Sequence, residues 1–212
     1  GFQEAIKRLD GPFAIAYWSD ATIWLARDIL GIKPLFFNPQ GFASEAKVLE
    51  ALTGQSFELN PRKICRLSLT DHTYTLEHRD FFEITEMQRP YAQIRQELKK
   101  ILYTAIRKRV PDKKVGLLFS GGIDSTFLAL VLKELNIPVT CYTAGIKQEG
   151  MNEAKDVTAA KEVARALNLP LRVKELSVNE VPAYLKKVVP LIEDSNVVKV
   201  GVALPFYLAC EM

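Results

Sequence analysis

"GLLFSGGIDSTFLALVL", residues 116–132, changes grammar halfway along. The apolar run from Val115 to Phe119 reads as a strand covered on both faces. From Ile123 onward, Ile123, Phe127, Leu130 and Val131 recur at helical spacing. Only Ser120, Gly121 and Gly122 separate the two, and Asp124 and Ser125 follow at once. In an open α/β sheet, ligands bind beyond the carboxyl ends of the strands. The loop leaving such a strand presents backbone N–H groups, and the next helix points its positive end the same way.

Gly121 and Gly122 have no Cβ, so the backbone can turn sharply and approach an anion. Ser120 and Ser125 add hydroxyl donors. Asp124 would repel a phosphate directly, but it fits as a helix-dipole partner or as an indirect ligand of Mg²⁺ held with the phosphates. A plain strand–helix turn would account for an isolated S-G-G. The full string, between an apolar strand and an apolar helix, favours phosphate. It lacks the G-K-S/T ending of a Walker loop and the G-x-G-x-x-G pattern.

Outward from this joint, residues 90–212 alternate strand and helix. A helix follows Pro90, with Ile94, Leu98, Ile101, Leu102 and Ala105 on one face. Strand 115–119, helix 123–135, strand 137–143, helix 153–168, strand 170–176 and a helix from near Asn179 come next. That order predicts a parallel sheet between helices, with strand 115–119 at its centre. Residues 11–78 read differently, as hairpins with turns at Ser19–Asp20, Asn38–Gly41 and Thr70–Asp71. A short helix there ends at Gly54, with Ser44 as its N-cap. The expected organisation is therefore a β-rich antiparallel part over 1–78, a connection over 79–89 and an α/β part over 90–212.

The 212 residues are 48% hydrophobic and 25% charged, ordinary values for a soluble chain. A net charge of +3 is too small to argue for nucleic acid. The basic run 99–114 reads as a solvated helix face. No apolar run is long enough to span a bilayer, and no signal peptide is visible. Cys65, Cys141 and Cys210 form no CxxC pair and read as reduced thiols of a cytoplasmic protein. His72 and His78 lack zinc-ligand spacing. The final helix, "ALPFYLACEM", looks unfinished, and the chain begins without Met; both ends are expected to be cut.

"SGGIDS" resembles the pyrophosphate loop of the ATP pyrophosphatases, which cleave ATP between the α- and β-phosphates. Within that group the chain resembles glutamine-dependent asparagine synthetase almost end to end. "LDGPFAIAYW", "ARDILGIKPLFF" and "FASEAKVL" are similar to the second half of its Ntn-type amidotransferase domain, and "RDFFEI" to its connecting segment. "YTAGI", "DVTAAKEVARAL" and "LPFYLACE" are similar to later pieces of its synthetase domain. The resemblance implies an adenine nucleotide α-hydrolase-like fold preceded by the C-terminal half of an amidotransferase domain. It implies a ligase that uses ATP and Mg²⁺, forms an acyl-adenylate and releases AMP and pyrophosphate. The acceptor it implies is a small carboxylic acid, aspartate first, with ammonia or glutamine-derived nitrogen supplied from outside this chain.

By position, Ser120, Gly121, Gly122, Asp124 and Ser125 would hold the pyrophosphate and its metal, with Asp124 the Mg²⁺ contact. Phe119 stands where the family usually has Leu beside the adenosine. Ala144 and Gly145 stand where backbone groups read the adenine edge. Asp156 matches an acidic residue opening the next helix, and reads equally as a first-turn helix carboxylate. The stretch "NVVKVG" stands at a family D-x-T-T-x-R string, with Asn196, Lys199 and Gly201 at the Asp, second Thr and Arg places. Lys199 would supply a catalytic positive charge, as a point rather than a fork.

The family's glutaminase nucleophile is an N-terminal Cys. Residue 1 here is Gly, and no Cys lies within the first 60 residues, so this chain is expected to release no glutamate from glutamine. Two other readings stand beside the synthetase. One is a tRNA-modifying pyrophosphate-loop ligase, supported only by the basic run; the other is a non-catalytic nucleotide-binding or regulatory paralogue. Membrane and nucleic-acid partners are not expected, and the resemblance leaves room for a homodimer.

Overall fold

The computed structural model describes residues 1–111, 113–147, 150 and 153–212. The chain divides into two compact units, Gly1–Glu86 and Met87–Met212.

The first unit runs α1 (Phe2–Lys7), β1 (Ala14–Ser19), β2 (Thr22–Arg27), β3 (Phe36–Asn38), β4 (Gly41–Ala43), α2 (Ala46–Thr53), β5 (Phe57–Glu58), β6 (Lys63–Ser68) and β7 (Tyr74–His78). Its strands form two antiparallel sheets rather than one layer, ordered β1-β2-β6-β7 and β4-β3-β5. The period of two explains the packing. Leu25, Cys65 and Leu67 face the small sheet and bury with Leu35, Phe37 and Leu59. Ala26 and Ile64, one residue out of phase, bury on the other face with Ile6 of α1.

Two local expectations move by a residue. The first hairpin pairs Ser19 with Thr22, so the turn is Asp20–Ala21, and Asp20 takes the left-handed backbone. Glu45, not Ser44, occupies the N-cap of α2, and no side chain caps it. Gly54 ends α2 in the left-handed conformation, as expected.

The second unit runs α3 (Tyr91–Arg109), β8 (Val115–Leu118), α4 (Ile123–Glu134), β9 (Val139–Lys147), α5 (Lys155–Ala166), β10 (Leu171–Ser177), α6 (Val181–Ile192) and α7 (Val197–Cys210). The three strands are parallel, in the order β10-β9-β8. Cys141 buries with Phe119, Ala129, Ala160 and Ala164 under α4 and α5. Ala144, three residues on and so on the opposite face, buries with Leu176, Val188, Leu204 and Leu208 under α6 and α7. The sheet lies between helices, as the alternation predicted.

The expected centre was wrong. Among the described residues β8 is an edge strand and β9 the centre. Both crossovers step in the same direction across the sheet, so no described strand returns to the far side of β8. Gly116 and Leu118 are accordingly exposed, and the apolar run "VGLLF" is covered on one face rather than two. The apolar face of α3 is also exposed at Ile94, Leu98 and Ile101. Burial pushes the Cys65 and Cys141 thiols up to about 12 and about 11, whereas Cys210 is exposed.

Candidate functional site

Phe119 donates its backbone N–H to Tyr142 O at 2.8 Å, extending the β8–β9 ladder one step past the strand. The chain then turns through Gly121, whose φ of +75° is strained for any residue with a side chain. A Cβ there would also lie 2.6 Å from the Ala159 carbonyl carbon, inside the backbone of α5. Gly145, near the carboxyl end of β9, also faces α5, but there a Cβ would meet a side chain, the Val157 Cγ2 methyl, at 2.6 Å. These two glycines let α5 pack against the ends of both strands.

Gly122 is different. It is the N-cap of α4 in ordinary extended backbone, and a Cβ would meet only Ser120 Oγ, at 3.3 Å. Its N–H donates to Ser120 Oγ, also at 3.3 Å. Ser125 Oγ donates to Gly122 O at 3.2 Å and lies 3.3 Å from Ser120 Oγ. The hydroxyls thus stiffen the loop, and the first-turn N–H groups of α4, which have no intrahelical acceptor, point past it. Asp124 sits in that first turn and is exposed.

The loop borders a cleft of about 410 Å³. Of the residues predicted from sequence, Phe119, Ser120, Asp124, Ser125, Ala144, Asp156 and Gly201 line it. Gly121, Gly122, Gly145 and Lys199 do not. Phe119 is only 2% exposed and forms part of the floor. Asp156 opens α5, where its carboxylate also suits the helix dipole.

Lys199 is placed elsewhere: its Nζ pairs with Asp194, and its backbone N–H is one of two that Asn196 Oδ1 accepts in capping α7. "NVVKVG" is therefore first a helix start. The cleft wall that sequence reasoning missed is α7 itself, through Val202, Pro205, Phe206 and Ala209. Their spacing on one helical face was a signal, but it reads as core until the sheet order is known.

No lysine, arginine or histidine lines the cleft among the described residues, while two carboxylates, Asp124 and Asp156, and four hydroxyl-bearing residues, Ser120, Ser125, Tyr142 and Thr143, do. A polyphosphate could enter so acidic a site only with a cation. Hard oxygen donors of this kind suit Mg²⁺, which is typically bound through one or two carboxylates plus substrate phosphates. No cluster of three metal-ligating side chains exists among the described residues.

A parallel sheet with a small-residue loop at a strand's carboxyl end, opening a helix beside an acidic cleft, is the general α/β arrangement in which ligands sit outside the carboxyl ends of the strands. The Asparagine synthase family model matches residues 97–212, and the Glutamine amidotransferase domain model matches residues 1–113. The chain belongs to the asparagine synthase family. A Methanocaldococcus jannaschii protein provisionally named asparagine synthetase (glutamine-hydrolysing) 1 is 32% identical over 99% of this chain and 42% of its own length. Asparagine synthetase (glutamine-hydrolysing) 1 of Bacillus subtilis is 30% identical over 91% of this chain and 35% of its own. The chain thus spans well under half the length of these relatives. A solved glutamine-dependent NAD⁺ synthetase from Acinetobacter baumannii, in complex with ADP, aligns with 66% of this chain and 25% of its own. That match has 18% identity and a TM-score of 0.35, too low to carry any part of the reading.

Proposed function

We propose that the α/β part, residues 90–212, binds ATP with its pyrophosphate end on residues 120–125 and activates a small carboxylic acid for amide formation. The acid's oxygen attacks the α-phosphorus, giving an acyl-adenylate and pyrophosphate; an amine nitrogen then displaces AMP. Aspartate is the acid to which the relatives' names point, and ammonia, free or drawn from glutamine, the nitrogen source. Residues 1–78 are assigned to the C-terminal half of an amidotransferase domain, and 79–89 to the connection.

One observation carries this reading: the loop that caps α4 also borders the cleft, beside Asp124 and Asp156 and without a cation. Backbone N–H groups and the α4 dipole would stabilise charge as it develops on the leaving pyrophosphate. When bound, Mg²⁺ would neutralise the polyphosphate; Asp124, with Asp156 across the cleft lining, would hold it. Positioning supplies most of the rest. Lys199, paired with Asp194, anchors the start of α7 in this account and takes no part in the chemistry.

The test is product identity. ATP labelled at the α- and γ-phosphates, incubated with Mg²⁺, a carboxylate and ammonia, should give AMP and pyrophosphate, and added pyrophosphate should displace bound ATP. ADP and phosphate as products, or ATP binding indifferent to pyrophosphate, would overturn the assignment.

A further inference from the structure

The Gly122 carbonyl, at the head of α4, has two donors and a third within one turn. It accepts the Thr126 N–H at 3.0 Å and the Ser125 hydroxyl at 3.2 Å. A carbonyl oxygen has two lone pairs, and both are then engaged. Thr126 lies four residues on, and a helical threonine commonly donates its hydroxyl to the carbonyl four residues back. Here that acceptor is full. Thr126 Oγ1 is sealed from solvent without a hydrogen-bond partner among the described residues. Ala129, one turn on along the same face of α4, is fully buried with Phe119, Ala160 and Ala164.

A buried hydroxyl without a partner costs free energy that a methyl group would not. The neighbouring serine gives that hydroxyl a use. Ser125 has one proton to donate, and it goes to Gly122 O over a distance long for an O–H···O bond. To hold a phosphate oxygen, Ser125 must release Gly122 O. The freed lone pair then lies one helical turn from the Thr126 hydroxyl, within reach by rotation about χ1.

Resting on the phosphate-loop reading above, we propose that Thr126 is a positioning residue for nucleotide binding. As Ser125 turns its hydroxyl to a phosphate oxygen, Thr126 Oγ1 replaces it on Gly122 O. The exchange keeps the first turn of α4 closed and satisfies a buried group. Thr126 therefore strengthens phosphate binding although it does not line the cleft.

Thermal melts of the full chain without nucleotide test the shared carbonyl. Thr126→Val keeps the shape and helix propensity of threonine and removes only the hydroxyl, so it should raise the melting temperature by about 2–4 °C. In a Ser125→Ala background, where Gly122 O has a free lone pair, the same change should lower the melting temperature instead. Calorimetric titration with ATP and Mg²⁺ reads the link to binding. Thr126→Val should bind about tenfold more weakly than the wild type, whereas Thr126→Ser, which keeps the hydroxyl, should match it. Thr126→Val melting below the wild type or failing to fold would overturn the proposal, as would a shift of the same sign in both backgrounds. ATP bound equally by the wild type and Thr126→Val would overturn it too. A wild type that binds no ATP, with the melts as expected, would overturn the phosphate reading and this role with it.

Discussion

After β2 the chain runs through Asp28 to Gly31 and on to Lys33; after β8 it runs from Ser120 to Ser125. Both loops leave a strand and turn on a glycine with left-handed backbone, Gly31 at φ +68° and Gly121 at +75°. Both carry an aspartate. Asp28 is 5% exposed, and its carboxylate accepts the backbone N–H groups of Ile32 at 2.9 Å, Lys33 at 3.0 Å and Phe13 at 3.3 Å. The neighbouring Arg27 reaches Glu58 Oε1 at 2.7 Å and Leu59 O at 3.2 Å. That loop closes on itself. Asp124 instead stands exposed on the rim of a cleft, in the first turn of a helix. A carboxylate that satisfies its own loop holds the fold, whereas one left on a rim beside helix N–H groups stays open to the cleft.

The largest expected effect is structural. Gly121→Ala forces a side chain into left-handed backbone and against Ala159, so we expect a loss of about 2–4 kcal/mol. Urea unfolding monitored by circular dichroism measures it. An unchanged midpoint would mean that the loop does not lie against α5.

Asp28→Asn comes next, at about 1–3 kcal/mol for hydrogen bonds to a buried charge. The effect has a pH signature. Burial pushes the Asp28 carboxyl up, but the N–H groups of Ile32, Lys33 and Phe13, with Arg27, outweigh it and hold it below the usual carboxylate range. A lowered folded value means stability that is present above the unfolded pKa, about 3.9, and is lost as pH falls through the folded value. The difference between wild type and Asp28→Asn should therefore be full at pH 7 and shrink below about pH 4. A gap independent of pH would contradict the closed-loop account.

Asp124→Asn should do the reverse, sparing stability and lowering Mg²⁺-dependent ATP affinity about tenfold, or about 1.4 kcal/mol. Calorimetric titration with ATP at several Mg²⁺ concentrations reads this directly. Equal loss with and without Mg²⁺ would remove the metal role from Asp124.

The smallest effect is a gain. Gly201→Ala should stabilise the chain by about 0.5–1 kcal/mol, because the helix interior favours alanine and nothing obstructs its methyl group. A thermal melt of the variant would show destabilisation instead if glycine were needed there for packing.

The joint at 115–132 was legible because its period changes from apolar run to helix within a few residues, and the structure keeps that change at Leu118 and Ile123. Sheet order was not legible. Nothing in "VGLLF" distinguishes an edge from a centre, because the neighbour of a strand is chosen by where the crossovers go. The two-sheet division of the first unit escaped for the same reason, since Leu25 and Ala26 announce two faces but not what covers each.

Gly121 and Gly122 looked alike in sequence. Only three dimensions show that one is required by α5, whereas a Cβ at the other would meet only the Ser120 hydroxyl. Lys199 lies outside the cleft lining and pairs with Asp194, because Asp194 and Asn196 form a helix start whose cap signal competes with the site reading. "D-x-N" before an apolar run was the clue.

That difference between adjacent glycines gives the most direct test of the loop as a phosphate site. Gly122→Val keeps an allowed backbone, places its Cβ against Ser120 Oγ alone, at 3.3 Å, and should cost about 1 kcal/mol while the chain stays folded. Its branched side chain would occupy the space a phosphate oxygen needs. Calorimetric titration of ATP with Mg²⁺ into the wild type and into Gly122→Val should show binding lost in the folded variant, a drop of at least about a hundredfold. Equal binding by the two proteins would contradict the loop's role.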